Sequence, residues 1–164
     1  MEQDNTIETR CPIRCYERTG VLYWTTRDNS YLVPPELAGI DNLINLHLSE
    51  NALSGPIPPT LGTLPSITSV VLSGNSLTGP IPPELGSLST LEELVFDNND
   101  LTGSVPPDFG RMASLQELSL TNNAAMSGAL PATLTALRQL EGLLADGTDL
   151  CTPSDWSCPA FTDG

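Results

Sequence analysis

Asn51-Ala52-Leu53-Ser54-Gly55-Pro56-Ile57-Pro58 returns as Asn75-Ser76-Leu77-Thr78-Gly79-Pro80-Ile81-Pro82 and again as Asn99-Asp100-Leu101-Thr102-Gly103-Ser104-Val105-Pro106. A fourth copy, with one residue inserted near Ala124 and Ala125, reads Asn123-Ala124-Ala125-Met126-Ser127-Gly128-Ala129-Leu130-Pro131. The four Asn recur every 24 residues. Self-similarity at a fixed period of this size is the signature of a solenoid. Upstream of each Asn runs an apolar ladder: Leu43, Leu46, Leu48; Ile67, Val70, Leu72; Leu91, Leu94, Phe96; Leu115, Leu118, Leu120; and a last one of Leu140, Leu143, Ala145. Downstream come Leu61-Gly62, Leu85-Gly86, Phe109-Gly110 and Leu134.

Each unit holds one short apolar strand that cannot bury its inward residues alone, so neighbouring turns must stack into a continuous core. Strand alternation puts Leu46 and Leu48 inside and Asn45, His47 and Ser49 outside. Every repeat Asn falls where the chain leaves the strand. Its carboxamide can donate to and accept from backbone groups that the turn leaves unpaired, so the four should form an internal ladder. Gly55, Gly79, Gly103 and Gly128 supply backbone freedom that a Cβ would forbid. Pro59, Pro83 and Pro107 suit the first position of a helical or 3₁₀ turn, and Gly62, Gly86 and Gly110 suit its end. The insertion should bulge one turn, as loop variation does.

Combined, the copies read L-x-x-L-x-L-x-x-N-x-L-x-G-x-I-P-x-x-L-G-x-L-x-x, which resembles the plant-type class of leucine-rich repeat proteins over residues 43–150. The resemblance implies an α/β chain: a right-handed solenoid with a concave parallel β-sheet, a convex side mostly 3₁₀ or irregular, little α-helix, and caps at both ends. We divide the chain into a tail and Cys-containing cap (1–18), a degenerate first repeat (19–42), the repeats (43–150) and a second Cys-containing cap (151–164). In the degenerate turn Leu22 and Trp24 take strand positions and Val33-Pro34-Pro35-Glu36-Leu37 aligns with the Ile-Pro segment. Tyr23 and Trp24 at one end, and Leu150, Trp156 and Phe161 at the other, should cover the core.

Four Cys flank the repeats: Cys11 and Cys15 before, Cys151 and Cys158 after. Disulfides at both ends of a solenoid make sense in an oxidising compartment. Four cysteines allow three connectivities, of which Cys11 with Cys15 and Cys151 with Cys158 is the expected one. Met1-Glu2-Gln3-Asp4 has neither the positive start nor the apolar stretch of a signal peptide. We read Met1 as a start residue standing where a native signal or upstream region has been removed, and place the protein outside the cell or on its surface.

The chain carries 20 acidic residues against six Arg and no Lys, a net charge of −14. Residues 28–164 hold 16 of the acids and two of the Arg, so the repeats carry the imbalance. Such a surface repels phosphate backbones and anionic headgroups, which argues against nucleic-acid binding and electrostatic membrane attachment. It favours a cationic partner, or simply confers solubility. No run of about 20 apolar residues is present, so no span crosses a membrane as a helix.

Outward strand positions line up into columns on the concave face, the broad surface such folds use for binding. The columns are Asn45, Ser69, Glu93, Glu117, Gly142; His47, Val71, Val95, Ser119, Leu144; Ser49, Ser73, Asp97, Thr121, Asp146; and Glu50, Gly74, Asn98, Asn122, Gly147. Val71 and Val95 read as adjacent exposed apolar residues ringed by Glu93, Asp97, Glu117 and Asp146. An apolar centre with an acidic rim suits a basic peptide or protein loop, with a glycan as a further possibility. Read blandly, the same positions are a solvated sheet face of β-formers. The single His47 reads as an exposed strand residue. One His and no His or Cys clusters leave neither a conventional triad nor a transition-metal site, and Glu93 and Asp97 lack the ligand spacing of known Ca²⁺ loops. No cofactor is expected.

Three functions follow from the resemblance. The first is a non-catalytic receptor- or adhesin-like module binding a peptide, protein or glycan. The second is an inhibitor of a secreted hydrolase, as polygalacturonase-inhibiting proteins are. The third is a structural or surface-binding role, ice included, for which regular Thr columns are expected and only Thr121 stands at a central outward position of the concave strands.

Overall fold

The computed structural model describes residues 15–18, 21–24, 32–40 and 42–151. Five strands repeat at the predicted positions: β3 Asn45–His47, β5 Ser69–Val71, β7 Glu93–Val95, β9 Glu117–Ser119 and β11 Gly142–Leu144. They pair in parallel and in the expected columns, Asn45 with Ser69, Ser69 with Glu93 and Glu93 with Glu117. The degenerate turn joins them. In β2, Val21–Trp24, Leu22 pairs with Leu46 and Tyr23 with His47, the register of a true repeat. Antiparallel to β2 runs β1, Cys15–Arg18, which makes the edge of a seven-stranded sheet. The reading of residues 1–18 as tail and cap had not resolved this hairpin, because four residues carry too little pattern to separate a strand from a loop.

A second sheet, which sequence reading missed, stacks the Asn-x-Leu-x-Gly segments. Its members are β4 Ser54–Gly55, β6 Ser76–Pro80, β8 Asp100–Gly103, β10 Ala125–Ala129 and β12 Asp149–Cys151, in the order β12-β10-β8-β6-β4. The glycines hid it. Gly55, Gly79, Gly103 and Gly128 all have positive φ, as expected of their backbone freedom, yet they lie within strands rather than in loops. The inserted residue is absorbed before β10, where Met126 takes the buried place that Leu53, Leu77 and Leu101 hold in other turns.

Among the described residues the convex side carries five 3₁₀ turns, Pro35–Gly39, Pro59–Thr63, Pro83–Ser87, Pro107–Arg111 and Ala132–Ala136. Pro stands first in four of them. Gly62, Gly86 and Gly110 are not turn ends, contrary to expectation. They are fourth in their turns and lack a left-handed φ, and what they provide is clearance. A Cβ at Gly62 would collide with the Glu84 carbonyl of the next turn, and one at Gly86 would stand 2.6 Å from the Asp108 carbonyl oxygen. In the last described turn this position is Thr135.

Between sheet and 3₁₀ turns lies one core, to which each of the three repeats from Leu43 to Met112 gives seven buried apolar residues, for example Leu91, Leu94, Phe96, Leu101, Val105, Phe109 and Met112. The Asn ladder seals its corner. Asn99 Nδ2 donates to the Phe96 carbonyl of its own turn and the Leu72 carbonyl of the turn before, each at 3.0 Å, while its Oδ1 accepts from Leu77 N–H. Asn75 and Asn123 repeat the pattern with their neighbours. Each of these three carboxamides therefore joins two turns through backbone groups that would otherwise be orphaned in the core.

Toward the end of the described stack the burial fails. Leu143, read as an inward residue, is 37% exposed, because it sits on the edge strand β11 and no described strand covers its far side. Leu150 is half-buried against the core. Cys151 is disulfide-bonded. Cys11, Cys158, Trp156 and Phe161 lie outside the described residues, as do the side chains of Cys15, Tyr23 and Trp24.

Candidate functional site

The concave face of the seven-stranded sheet carries the sequence-predicted site, and its polar side chains bond to one another across the strands. Ser69, 7% exposed, donates its hydroxyl proton to Glu93 Oε2 at 2.5 Å, and His47 Nε2 lies 2.8 Å from the same Ser69 oxygen. With its one proton committed to Glu93, the Ser69 oxygen accepts from the imidazole Nε2–H. Three strands, β3, β5 and β7, are thus linked side chain to side chain. A second connection runs from Ser119, 1% exposed, to Asp97 Oδ1 at 2.6 Å, and the same oxygen accepts from Thr121 N–H at 2.8 Å. Thr68 Oγ1 donates to Asn45 Oδ1 at 3.1 Å.

This bonding corrects two sequence readings. His47 is half-buried and partnered, where an exposed strand residue was expected. Val95, expected to be exposed beside Val71, is only 9% exposed. It stands mid-sheet between Val71 and Ser119 in register, and neighbours one strand spacing away on both sides cover a β-branched side chain. Val71 itself is half-buried. The apolar part of the face that does meet solvent is Leu144, 47% exposed at the β11 edge.

Charge on the face is concentrated in one half. The β3 and β5 half presents Asn45, His47, Ser49, Ser69, Val71 and Ser73, with Glu50 in the turn after β3, whereas β7, β9, β11 and the turns after them present Glu93, Asp97, Glu117 and Asp146. Glu117 and Asp146 are exposed and Glu93 and Asp97 half-exposed. Among the described residues none of these four carboxylates pairs with a cation. The ion pair among the described residues, Arg111 with Asp108 at 3.0 Å, belongs to a convex 3₁₀ turn. Beside it lies a shallow hollow lined by Pro107, Gly110, Thr133 and Ala136.

The fourth column proves to be conformational. Glu50, Asn98 and Asn122 have φ of 53°, 54° and 57°, and Gly74 and Gly147 are also left-handed, so this column is the turn that ends each concave strand. Its Gly and Asn residues are the types that tolerate this conformation, a signal readable in the sequence. Asn122 Nδ2 donates to Asn98 Oδ1 at 2.8 Å on the surface of that turn. The second sheet presents a different chemistry. Ser54, Thr78, Thr102 and Ser127 lie on it out of register with one another, Ser54 opposite Ser76, Thr78 opposite Asp100 and Thr102 opposite Ala125, so their hydroxyls do not stack into a column. Among the described residues no three His, Cys, Asp or Glu are placed to hold a metal ion, and no helix is long and apolar enough to cross a membrane.

The profile of the family described as Leucine Rich Repeat matches residues 42–64, 66–88 and 90–112. A search of curated protein sequences gives no match. Among solved structures the chain is similar to one titled as PEPR1 with AtPEP1, with a TM-score of 0.74 and 35% identity over 79% of this chain and 18% of that one. A chain of the BIR3–SERK2 complex from Arabidopsis thaliana is 32% identical, TM-score 0.66, over 85% of this chain and 69% of its own. A third is the Arabidopsis receptor kinase HAESA with the peptide hormone IDA and the co-receptor SERK1, TM-score 0.69 and 31% identity over 79% and 25%. The chain spans less than a fifth of the first of these and a quarter of the third.

Proposed function

This chain belongs to the plant-type class of leucine-rich repeat proteins, and from that premise we propose that it is a non-catalytic interaction module, extracellular or at the cell surface, whose concave face holds a basic peptide or protein segment. The observation that carries the reading is the unpaired acidic half of that face, Glu93, Asp97, Glu117 and Asp146 around the half-buried Val71 and the exposed Leu144. Carboxylates with no cationic partner among the described residues, set on a sheet, raise the local concentration of cations and direct encounter. Ser69, Ser119 and the Thr121 N–H hold Glu93 and Asp97 in place, so little side-chain freedom is lost on binding. Similarity to receptor chains, one of them solved with a peptide hormone and a co-receptor, supports the class of partner. The same similarity and the disulfide at Cys151 support an oxidising location. Asn45, His47 and Ser69 would supply the uncharged part of the contact.

Panning a random peptide library over the wild type and over a Glu117→Lys/Asp146→Lys variant tests the reading. Peptides rich in Arg and Lys should be enriched on the wild type and lost from the variant; recovery of the same peptides on both would contradict it.

A further inference from the structure

The concave strands end in the same left-handed turn, at Glu50, Gly74, Asn98, Asn122 and Gly147. At the first four of these the backbone N–H is committed to the next turn of the stack, donating to the carbonyls of Ser73, Asp97, Thr121 and Asp146. Gly147 stands at the end of the described stack, and its N–H has no hydrogen-bond partner among the described residues. The residue before it is Asp146, exposed, whose carboxylate likewise has no partner among the described residues. We propose that the Asp146-Gly147 step is a modification site, at which the acid converts to isoaspartate through a cyclic imide. The reaction needs no reactant other than water. The Gly147 nitrogen bonds to Asp146 Cγ, the bond from Cγ to the carboxyl hydroxyl breaks, and that hydroxyl leaves as water with the amide proton. A second water then opens the ring. Attack at Cγ restores aspartate, whereas attack at the Asp146 backbone carbonyl carbon leaves the chain running through the former side chain.

Asp97-Asn98, the equivalent pair in an interior turn, shows what the end of the stack lacks. There Asp97 Oδ1 accepts from the Ser119 hydroxyl at 2.6 Å and from Thr121 N–H at 2.8 Å, and Asn98 N–H donates to the Thr121 carbonyl at 2.8 Å. Both reacting groups are tied to the following turn. At Asp146-Gly147 neither is tied to any described residue. This turn is also held less firmly from behind. Thr148 stands where other turns carry the repeat Asn, and its hydroxyl donates to the Ala145 carbonyl of its own turn at 2.6 Å. Asn123 Nδ2 bonds its own turn in the same way and reaches the Phe96 carbonyl of the turn before as well. Gly147 adds access, since at φ 72° it carries no Cβ to shield its nitrogen from Asp146 Cγ. Each hydrogen bond that must open first slows a reaction about fivefold, so the three at Asp97-Asn98 set the two sites at least about tenfold apart in rate. The consequence for binding rests on the reading above. Isoaspartate lengthens the backbone and shifts the Asp146 carboxylate out of the acidic half, so capture of a cationic partner weakens as the protein ages.

Warming the purified protein in buffer for several weeks, followed by peptide mapping that separates aspartate from isoaspartate at each position, tests the site without any ligand. Isoaspartate should accumulate at Asp146 at least about tenfold faster than at Asp97. Gly147→Asn, which keeps a residue tolerant of the left-handed turn, should suppress it. An Asp-Gly step is reactive as a sequence, so Asn98→Gly separates motif from fold. It writes the same pair into a turn whose amide and carboxylate remain bonded, and Asp97 should still react at least about tenfold more slowly than Asp146. Equal rates at Asp97 and Asp146 in that variant would overturn the proposal, as would an Asp146 that stays intact in the protein while a free peptide of residues 141–150 converts. Mapping also keeps Asp146 apart from Asp163-Gly164, where the pair recurs in the sequence. Binding of an arginine-rich peptide is measured on the same aged samples. Conversion at Asp146 with capture unchanged would leave the modification site standing and remove Asp146 from the basic-partner reading.

Discussion

At position 50 the chain carries a glutamate in the left-handed turn that other repeats give to Gly74, Asn98, Asn122 and Gly147. An ordinary L residue loses roughly 1–2 kcal/mol there, Asn much less. The Glu50 carboxylate also lies over Gly74, where a Cβ would collide with it. Glu50→Asn should therefore stabilise the protein by about 1 kcal/mol, seen as a rise of about 2–4 °C in melting temperature; an unchanged or lower value would mean that the turn is not strained. The repeat Asn show the opposite relation of residue to site. Asn99 fills all of its amide hydrogen-bonding roles with backbone of two turns, a use that the sequence announces by returning Asn at each 24-residue step. The exposure of Val95 was not announced. Period-two alternation gives the face on which a side chain stands, but how far its neighbours cover it depends on the registered residues, here Val71 and Ser119.

Among elements, the concave strands and the 3₁₀ turns were legible because their apolar residues recur at fixed offsets and Pro marks the turn starts. The second sheet was not, since a strand of two to five residues with a positive-φ Gly inside reads as a loop. The stacking of the 3₁₀ turns depends on residues that look like caps and act as gaps. Gly86 faces the Asp108 carbonyl of the next turn so closely that added volume must move backbone. We expect Gly86→Ala to cost about 1–3 kcal/mol by overpacking, measured by chemical denaturation. Thr135→Ala, at the same place in the last described turn, should cost far less. Equal losses would show that close stacking is not what the glycine provides.

For the whole molecule, periodicity determines the architecture and composition determines the field around it. Six or seven buried apolar residues in each of four repeats and an Asn-sealed corner make a stack whose outward side chains are free to vary, and here they vary into an acidic half and a half whose one carboxylate is Glu50. The two halves were legible as columns in the sequence. The hydrogen bonds that fix Glu93 and Asp97 were not, because they join residues 22 and 24 positions apart whose side-chain directions only the structure defines. The central claim is that the acidic half of the concave face is the binding surface. Calorimetric titration of an arginine-rich peptide selected on the wild type, repeated with Glu117→Lys/Asp146→Lys and with Thr78→Lys/Thr102→Lys, tests it most directly. Loss of at least tenfold in affinity in the first variant, about 1.4 kcal/mol, with the second reduced no more than any distant charge change would reduce it, is the predicted result. Equal weakening by both variants, or loss in the second alone, would place the binding surface elsewhere and contradict the account.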